Sequence, residues 1–554
     1  MQNTNENSVG SVSSKRRFLC NISSGWLAVT VNALVGVFVL PINLHYLGKE
    51  VYGISVLATS ILLILHYLNF GMGPTLVRFF SKAIADGDDE IFRKTSSTAQ
   101  FFTGGTGLIG AIIFMACFQW FCVRYDISGE LKTSTFVLFC GMAFTLWEHF
   151  YTITYSTILQ SYQRLDLLNY TRSILIIARV ILLIFFYEFV SCSLISLGIV
   201  LCLEATLRLL VLFSFALRYG GSKTFFSPKN VDIKLMPKLF AFGALVFLNS
   251  LSMGLSVQIP SLIIGDQLGK AAVADFSAAL TVTTFLGSIL GAIVVPLTPL
   301  ASIEAKNGGE RLGSWAISLG QVVACVGYCT VLVLWLFGGD WITAWLGPDF
   351  AWTHFIVTVI ATGTVLAAVQ HTNFAIALGA STIAPVAWSS LVMAIAISLG
   401  TWVGLYYHLF ESISLFRFET HPTVGAGLLG VAWLIFFVRI IRNVFFLTNV
   451  YSKKFNYGLL TYLYKVYCVP FIGVLIAVFT WNLALGNFDY ASLQHYLQIR
   501  FQQGLGANIG PRVSLICVIS LKSAIASILY GVICWYCVLP SDLKRSLCGA
   551  IRQK

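Results

Sequence analysis

The stretch that decides the fold is YLGKEVYG, residues 46–53, together with its counterpart LGKAAVAD, residues 268–275. In both halves of the chain a Leu-Gly-Lys turn joins two long apolar segments. The two turns align at an offset of 221 residues. At the same offset the aligned pairs are Ser81 with Ser302, Gly87 with Gly308, and Asp89 with Glu310. The chain therefore contains an internal repeat, and each copy starts with a hairpin of two apolar segments.

The composition places these apolar segments in a membrane. Only 10% of the 554 residues are charged, against roughly 25% in a soluble domain, and 57% are hydrophobic. The mean hydropathy is +0.82. A soluble protein of this composition would expose far too much apolar surface. A soluble enzyme, a disordered chain, a secreted disulfide scaffold and a nucleic-acid partner are all excluded on this ground.

A membrane-spanning helix needs about 20 apolar residues. Fourteen segments satisfy this requirement, and most are separated by short polar turns. They are 20–45, 53–70, 96–122, 133–158, 171–187, 193–217, 238–264, 275–298, 314–338, 353–378, 385–406, 425–447, 463–486 and 513–538. We therefore predict an all-α polytopic membrane protein with about 14 transmembrane helices.

The basic residues orient the predicted helices. With the N-terminus inside and the sides alternating, 25 of the 35 Lys and Arg fall in or beside inside segments, and 7 in outside loops. Cytoplasmic loops collect Lys and Arg, so both termini are predicted to be cytoplasmic. The net charge of +12 has the same explanation. Arg439 and Arg442 are counted here with the inside loop that follows the twelfth helix.

The repeat predicts the domain organisation. Because each copy holds six helices, an even number, the two copies keep the same orientation in the membrane, and such parallel repeats place a substrate path at their interface. The predicted parts are a cytoplasmic tail at 1–17, an N-lobe at 18–217, a cytoplasmic linker at 218–237, a C-lobe at 238–447, two additional helices at 448–538 and a cytoplasmic tail at 539–554.

Four motifs carry a resemblance to a known family. They are Tyr46-Leu-Gly-Lys-Glu-Val-Tyr-Gly53, Asn69-Phe-Gly-Met-Gly73 with Leu76-Val-Arg78, Leu268-Gly-Lys-Ala-Ala-Val-Ala-Asp275, and Trp345-Leu-Gly-Pro-Asp-Phe350. With fourteen helices in two lobes, the chain resembles the Wzx-type polysaccharide flippases of the multidrug/oligosaccharidyl-lipid/polysaccharide (MOP) superfamily, over nearly its whole length. The tenth-to-eleventh loop departs from the pattern, with Gly379-Ala-Ser381 where similar proteins often carry a basic residue.

The resemblance implies a MATE-like fold and a function. Such proteins move polyprenyl-pyrophosphate-linked oligosaccharide repeat units across the bacterial inner membrane by alternating access, for O-antigen, capsule or exopolysaccharide assembly. It implies no catalysis, cofactor or metal. The expected partners are the lipid-linked substrate, membrane lipids and the polysaccharide polymerase machinery.

Charged residues inside the membrane are the candidate site, because each costs roughly 2.5–3.5 kcal/mol at the bilayer centre. Arginine offers planar forked donors that match phosphate oxygens. The predicted cationic substrate site consists of Arg78, Arg172, Arg179, Arg208 and Lys522, and the predicted ion-coupling groups are Glu148, His149 and Glu204. Structural explanations stay open: Glu204 and Arg208, four residues apart, can form a neutral pair, and Arg78 and Arg172 can lie among lipid headgroups.

Three alternative functions remain open, one of which is a flippase for a peptidoglycan precursor, with the same architecture and a basic cavity. A cation-coupled multidrug exporter of the same superfamily would place an acidic residue inside a lobe, and Glu148 and Glu204 fit that requirement. Residues 20–45, however, contain no Asp or Glu. A membrane polysaccharide polymerase or ligase would display a substantial outer loop, for which the candidates are 407–424 and 487–512.

Overall fold

A computed structural model of the chain describes residues 3–294, 311–379, 384–410, 422–484 and 510–538, with isolated positions at 301, 304, 494 and 498. The described residues are almost entirely helical and contain no strand. The chain forms two compact units, Met1–Ala274 and Asp275–Lys554. The predicted all-α class is confirmed.

The first unit contains seven helices and the start of an eighth. They are α1 (Asn3–His66), α2 (Met72–Asp86), α3 (Asp89–Arg124), α4 (Gly129–Ser161), α5 (Leu165–Phe189), α6 (Leu194–Gly220), α7 (Met236–Gln267) and α8 (Lys270–Val294). Helix α1 begins within the predicted tail 1–17 and continues without interruption into the first predicted span.

Most of α8, from Asp275 onward, belongs to the second unit, and the other helices of that unit are described from residue 312 onward. They are α9 (Leu312–Leu346), α10 (Thr353–Gly379), α11 (Ala384–Tyr406), α12 (Pro422–Arg439), α13 (Thr448–Lys454), α14 (Leu459–Tyr462), α15 (Val469–Ala484) and α16 (Gly510–Ile533). Three π-helical segments extend or join them, at Ile440–Leu447, Leu463–Cys468 and Cys534–Val538. Within this unit α9, α15 and α16 share a core that includes Phe337, Trp481 and Ile519.

The described residues contain 12 helical runs long and apolar enough to cross a membrane. One of them, Ser23–Asn69, covers both of the first two predicted spans. Eleven others coincide with predicted spans one to one, and α5 coincides with the remaining prediction, 171–187. The protein is therefore a multi-pass membrane protein, and every predicted span corresponds to a helix.

The Leu-Gly-Lys turns have the same backbone geometry in both halves. Gly48 breaks α1 with φ 74°, and Gly269 separates α7 from α8 with φ 91°. Positive φ favours glycine, which has no Cβ to clash with the backbone. The 221-residue alignment therefore pairs two glycines that both adopt a positive φ at a turn between helices, and this agreement supports the repeat. The other aligned positions of the second copy, Ser302, Gly308 and Glu310, lie outside the described residues.

Helix α2 lies between the predicted spans 53–70 and 96–122, in the segment that the span prediction treats as a polar inside loop. It forms because Met72, Leu76, Phe80 and Ala83 recur at helical spacing and are all buried against α3 and α4. Short amphipathic helices of this kind gain their stability from packing of one face. The loop prediction failed here because the polar residues of the segment outweighed its apolar face.

The predicted linker 218–237 is held on α3. Thr224 accepts a hydrogen bond at its carbonyl from Gln100 Nε2 (2.8 Å), and the backbone N–H groups of Ser227 and Asp232 donate to Ser97 Oγ (3.2 Å) and Thr98 Oγ1 (2.9 Å). The polar run in α3 thus satisfies backbone groups that would otherwise be unpaired. The linker is a fixed part of the first unit.

Two glycines bring α4 and α6 into backbone contact. A Cβ added to Gly141 would lie 2.3 Å from the carbonyl oxygen of Gly198, and one added to Gly198 would lie 2.7 Å from that of Val137. No larger residue fits this crossing. Glu148 lies two turns after Gly141 on α4, Arg208 lies nearly three turns after Gly198 on α6, and the two side chains form an ion pair. The glycine contact therefore brings together the two helices that carry this pair.

We predict that Gly141→Ala lowers the stability of the protein. The added methyl group must push α4 and α6 apart, at a cost of about 1–3 kcal/mol for overpacking. Thermal unfolding of the purified protein in detergent measures the effect as a lower Tm. The matched control is Gly105→Ala in α3, where an added Cβ meets no atom within 4 Å; an equal loss in both variants would contradict the explanation.

Candidate functional site

A polar cavity of about 540 Å³ lies inside the first unit, among α1, α2, α4, α5 and α6. Five of the predicted site residues line it. Its lining residues are Asn32, Gly73, His149, Thr152, Ile153, Ser156, Thr157, Gln160, Leu165, Leu168, Asn169, Thr171, Arg172, Leu175, Ile176, Arg179, Glu204, Arg208 and Leu212. The structure therefore brings Arg172, Arg179, Arg208, Glu204 and His149 together in one place.

The lining follows from helical spacing. On α4, Glu148, Thr152, Ser156 and Gln160 recur every four residues, and side chains four apart lie on one face of a helix. Three of these polar side chains line the cavity, and Glu148 lies buried beside it. The lining of α5 runs through Asn169, Arg172, Ile176 and Arg179 at intervals of three and four. Two polar stripes in otherwise apolar helices thus face each other across the cavity.

The strongest interaction at the site is a forked ion pair between α6 and α4. Arg208 Nε lies 3.1 Å and 3.0 Å from the two carboxylate oxygens of Glu148, and a second guanidinium nitrogen of Arg208 also bonds Glu148. The Glu148 side chain is fully buried. Bidentate arginine–carboxylate pairs of this type are the strong members of their class. Glu204, which the spacing of four residues made a possible partner of Arg208, also forms an ion pair with it, but at the longer distance of 3.8 Å.

Glu204 extends the ion pair into a network. It accepts a hydrogen bond from Arg179 at 3.4 Å, so that α5 is tied to α6 as α6 is tied to α4. Arg179, Glu204, Arg208 and Glu148 form a chain of alternating sign and zero net charge. In a medium of low dielectric constant such compensation is what makes buried charges tolerable.

Arg172 stands outside this network. Its side chain is exposed, it lines the cavity, and it has no carboxylate partner among the residues that the structure describes. The cavity region therefore carries three arginines against two glutamates. The one positive charge in excess is available to an anion.

His149 adds an imidazole to the cavity lining. Its ring lies 4.8 Å from that of His66 on α1, centroid to centroid, so the two imidazoles are in contact beside the ion-pair chain. His66 also hydrogen-bonds the carbonyl of Leu62 through Nδ1 at 3.0 Å.

Close hydrogen bonds fix the start of α5 at one end of the cavity. Asn169 donates to Ser24 Oγ (3.1 Å), and the backbone N–H of Asp166 donates to Asn21 Oδ1 (3.0 Å). Arg164 binds both carboxylate oxygens of Asp166, and this contact holds the pKa of Asp166 below its ordinary value. The first turn of α5, and with it Arg172, is thereby positioned against α1.

Two predicted site residues lie elsewhere. Arg78 is exposed on α2 and is not part of the cavity lining, although Gly73 of the same helix is. Lys522 is half-buried in α16, in the second unit. The outer-loop candidates for an enzyme, 407–424 and 487–512, fall largely outside the described residues.

Part of the site and two intrahelical arginines, one half-buried and one buried, were not predicted. The α4 stripe of Thr152, Ser156 and Gln160 had a signal, its spacing of four in an apolar helix. Arg439 and Arg442 were wrongly counted with an inside loop. The helix continues through both residues to Lys454, because Ile440–Leu447 is a π-helical continuation of α12. Their position within the predicted segment 425–447 was the available signal.

Comparison of the sequence with known proteins identifies one family and one curated relative. The sequence profile of the family described as "Polysaccharide biosynthesis protein" matches residues 18–302. The "Uncharacterized membrane protein EpsK" of Bacillus subtilis (strain 168) is 21% identical over 352 residues, which cover 60% of this chain and 66% of that protein. The match thus spans just under two thirds of the curated relative.

Two solved structures share the fold. One is the inward-facing conformation of a multidrug resistance MATE family transporter of the MOP superfamily, with a TM-score of 0.63 and 13% identity, covering 79% of this chain and 98% of that one. The other is the lipid II flippase MurJ in an inward closed conformation, also with a TM-score of 0.63 and 13% identity, covering 91% and 98%. The predicted MATE-like fold is confirmed.

We predict that Arg208→Met destabilises the protein more than Glu148→Gln/Arg208→Met does. The single change leaves Glu148 buried and unpaired, which costs about 3–5 kcal/mol, whereas the double change removes both charges. Thermal unfolding in detergent compares the variants, with Arg172→Gln as the control because that arginine has no carboxylate partner. Equal losses in the single and double variants would show that the ion pair is not what stabilises the α4–α6 contact.

Proposed function

Since the chain belongs to the polysaccharide biosynthesis protein family, we propose that it translocates polyprenyl-pyrophosphate-linked oligosaccharide repeat units across the bacterial inner membrane by alternating access. Both termini are then cytoplasmic, and the exported units feed a polysaccharide polymerase at the outer leaflet. The observation that carries the proposal is the cavity with three arginines, one of which, Arg172, has no carboxylate partner among the residues that the structure describes.

The cavity suits the polar part of such a substrate. A pyrophosphate carries at least two negative charges, and a guanidinium fork matches two of its oxygens. Arg172 is the proposed first contact, because it needs to release no partner. The volume of about 540 Å³ falls within the ordinary range for ligand pockets. Asn32, Gln160 and Asn169 supply amide groups for sugar hydroxyls.

The two glutamates are proposed to hold the other arginines until the substrate arrives. Arg179 and Arg208 are paired with Glu204 and Glu148 at distances typical of charge-assisted hydrogen bonds or slightly longer. An entering pyrophosphate can replace the weaker partner, Glu204 at 3.4 Å, more readily than the bidentate Glu148. Arg179 would then join Arg172, which lies two turns away on the same face of α5.

The charge balance favours this substrate over the cationic drugs of a multidrug exporter. An exporter of cations needs free carboxylates, and both glutamates near the cavity are occupied by arginines. Likeness to the MurJ fold is as close as likeness to the MATE fold. Glu148, His149 and Glu204 remain the proposed ion-coupling groups. Arg78 and Lys522 were predicted to belong to the cationic substrate site, and since neither lines this cavity, we propose that they contact headgroups.

The function is tested by the pool of lipid-linked oligosaccharide in a strain that lacks the gene. We expect complete single repeat units to accumulate on the polyprenyl carrier while surface polysaccharide is lost. A polymerase would still let units reach the outer leaflet. A normal pool with normal surface polymer would contradict the proposal and favour the drug exporter, whose loss should instead raise drug sensitivity.

The site is tested by Arg172→Gln and Arg179→Ala in the complemented strain. Each variant removes a proposed phosphate contact, and we expect surface polysaccharide to fall at least tenfold, since loss of one charge-assisted hydrogen bond costs about 1.5–3 kcal/mol. Arg93→Gln is the matched control, because Arg93 is exposed at the start of α3 and does not line the cavity.

Membrane levels of each variant are measured in parallel by immunoblotting. Normal export by both cavity variants at normal levels would remove α5 from the transport site.

A further inference from the structure

Two arginines of the second unit lie inside a membrane span without a carboxylate. Arg439 ends α12, and Arg442 lies one turn further along, in the π-helical segment Ile440–Leu447. The apolar run that contains them, Val424–Lys454, is 31 residues long, and Arg439 is its midpoint. In the part of the chain that the structure describes, neither guanidinium contacts an Asp or Glu.

Arg442 is 9% exposed and is held by neutral oxygens only. Its Nε donates to Ser389 Oγ (3.2 Å), and its other nitrogens donate to Asn443 Oδ1 (3.0 Å), to the carbonyl of Val386 (3.4 Å) and to Ser390 Oγ. These bonds tie the π-helical segment to α11. These four bonds use most of the five N–H donors of Arg442, and none of the four acceptors carries a negative charge.

The guanidinium of Arg439 makes one hydrogen bond to the described residues. One nitrogen donates to Thr364 Oγ1 on α10 at 2.7 Å, and the described residues provide no acceptor for the remaining N–H groups. The side chain is half-buried. It lies beside Gly363, where an added Cβ would come within 3.7 Å of Arg439 Cδ. A partly accessible fork of donors therefore stands at mid-span.

The contrast with the first unit shows what is missing. There, Arg179 and Arg208 are each neutralised by a glutamate. An uncompensated charge at the bilayer centre costs several kcal/mol and is retained where it has a function. π-Helical insertions in α-helices also occur frequently at functional sites. The described residues of the second unit supply no compensating charge to either arginine.

We infer that Arg439, assisted by Arg442, forms an anion site in the second unit that binds a phosphate-type oxyanion. The planar fork of Arg439 matches two phosphate oxygens. Thr364 Oγ1 donates its own proton to the carbonyl of Ile360 (2.9 Å) and accepts from one guanidinium nitrogen, so it orients the fork. The oxyanion can belong to a diphosphate or to a phospholipid headgroup. The site goes beyond the Arg172 cavity, because it lies in the other unit and needs none of that cavity's residues.

The test uses the full-length protein in nanodiscs of phosphatidylcholine, with ³²P-pyrophosphate as the probe in a scintillation proximity assay at fixed ionic strength in sodium chloride. All variants carry Arg172→Gln, so that the first-unit cavity does not contribute its free arginine. We expect saturable binding in this background, at least tenfold weaker binding after Arg439→Gln, and partial retention after Arg439→Lys, which keeps the charge but loses the fork.

A second arm identifies the source of the oxyanion. When one third of the lipid is phosphatidylglycerol, a headgroup site should lose its Arg439-dependent pyrophosphate binding and retain phosphatidylglycerol in native mass spectrometry. A site for a diphosphate should keep its pyrophosphate binding. Either result supports the oxyanion site and assigns its ligand.

The inference is overturned if Arg439→Gln changes neither pyrophosphate binding nor phosphatidylglycerol retention. Stability gives an independent readout that separates a binding role from misfolding. Without an oxyanion, Arg439→Gln should melt at a higher temperature than the parent, because an uncompensated charge has been removed. A lower Tm would show that Arg439 serves the fold, and it would also overturn the inference. Neither failure would affect the Arg172 cavity, whose own variants are measured by export.

Discussion

The bidentate pair between Arg208 and Glu148 is the interaction on which the first unit depends. It joins two membrane helices at a point where an unpaired charge would be expensive. The same two helices are in backbone contact at Gly141 and Gly198, where no larger side chain fits. Glu204 and Arg179 continue the alternating charges to α5. Three helices are thus held around a cavity by one chain of compensated charge.

This arrangement links stability to transport. Glu204 and Glu148 offset the charges of Arg179 and Arg208, which lowers the free-energy cost of placing these arginines in a membrane. Arg172, which has no carboxylate partner among the described residues, is the proposed contact for an anion. If a pyrophosphate takes over Arg179, Glu204 is left with Arg208 at 3.8 Å as its remaining neighbour. Substrate binding would then redistribute the contacts between α5 and α6 and leave the tighter α4–α6 pair in place. In the second unit, by contrast, the described residues offer Arg439 and Arg442 only neutral oxygens as partners.

Much of the fold was predictable because its determinants are local. Apolar runs of sufficient length predicted fourteen spans, and each of them corresponds to a helix. The Leu-Gly-Lys turns marked equivalent glycines with positive φ, Gly48 and Gly269. Helix α2 was missed because its apolar face interrupts a polar stretch. The anchoring of the linker on α3 was missed because hydrogen bonds between distant segments leave no periodic trace in the sequence.

The site was predictable in its residue types more than in its pairings. Arg172, Arg179 and Arg208 stood out as charges within apolar segments, and all three line the cavity. The sequence suggested Glu204 as the partner of Arg208 because they are four residues apart, but Glu148, 60 residues away, holds it more tightly. Such a contact depends on how α4 crosses α6, which only the glycine approach in three dimensions determines.

We propose that this protein moves a pyrophosphate-linked lipid and that Arg172 contacts the diphosphate. The most direct test of this proposal is a translocation assay with the purified protein in liposomes that contain a fluorescent polyprenyl-pyrophosphate sugar, with dithionite quenching the outer leaflet. The account predicts that wild-type protein exposes the inner-leaflet lipid to dithionite, and that Arg172→Gln does so much more slowly while Arg93→Gln matches the wild type. Wild-type liposomes that behave like protein-free liposomes, or an Arg172→Gln variant as fast as the wild type, would contradict it.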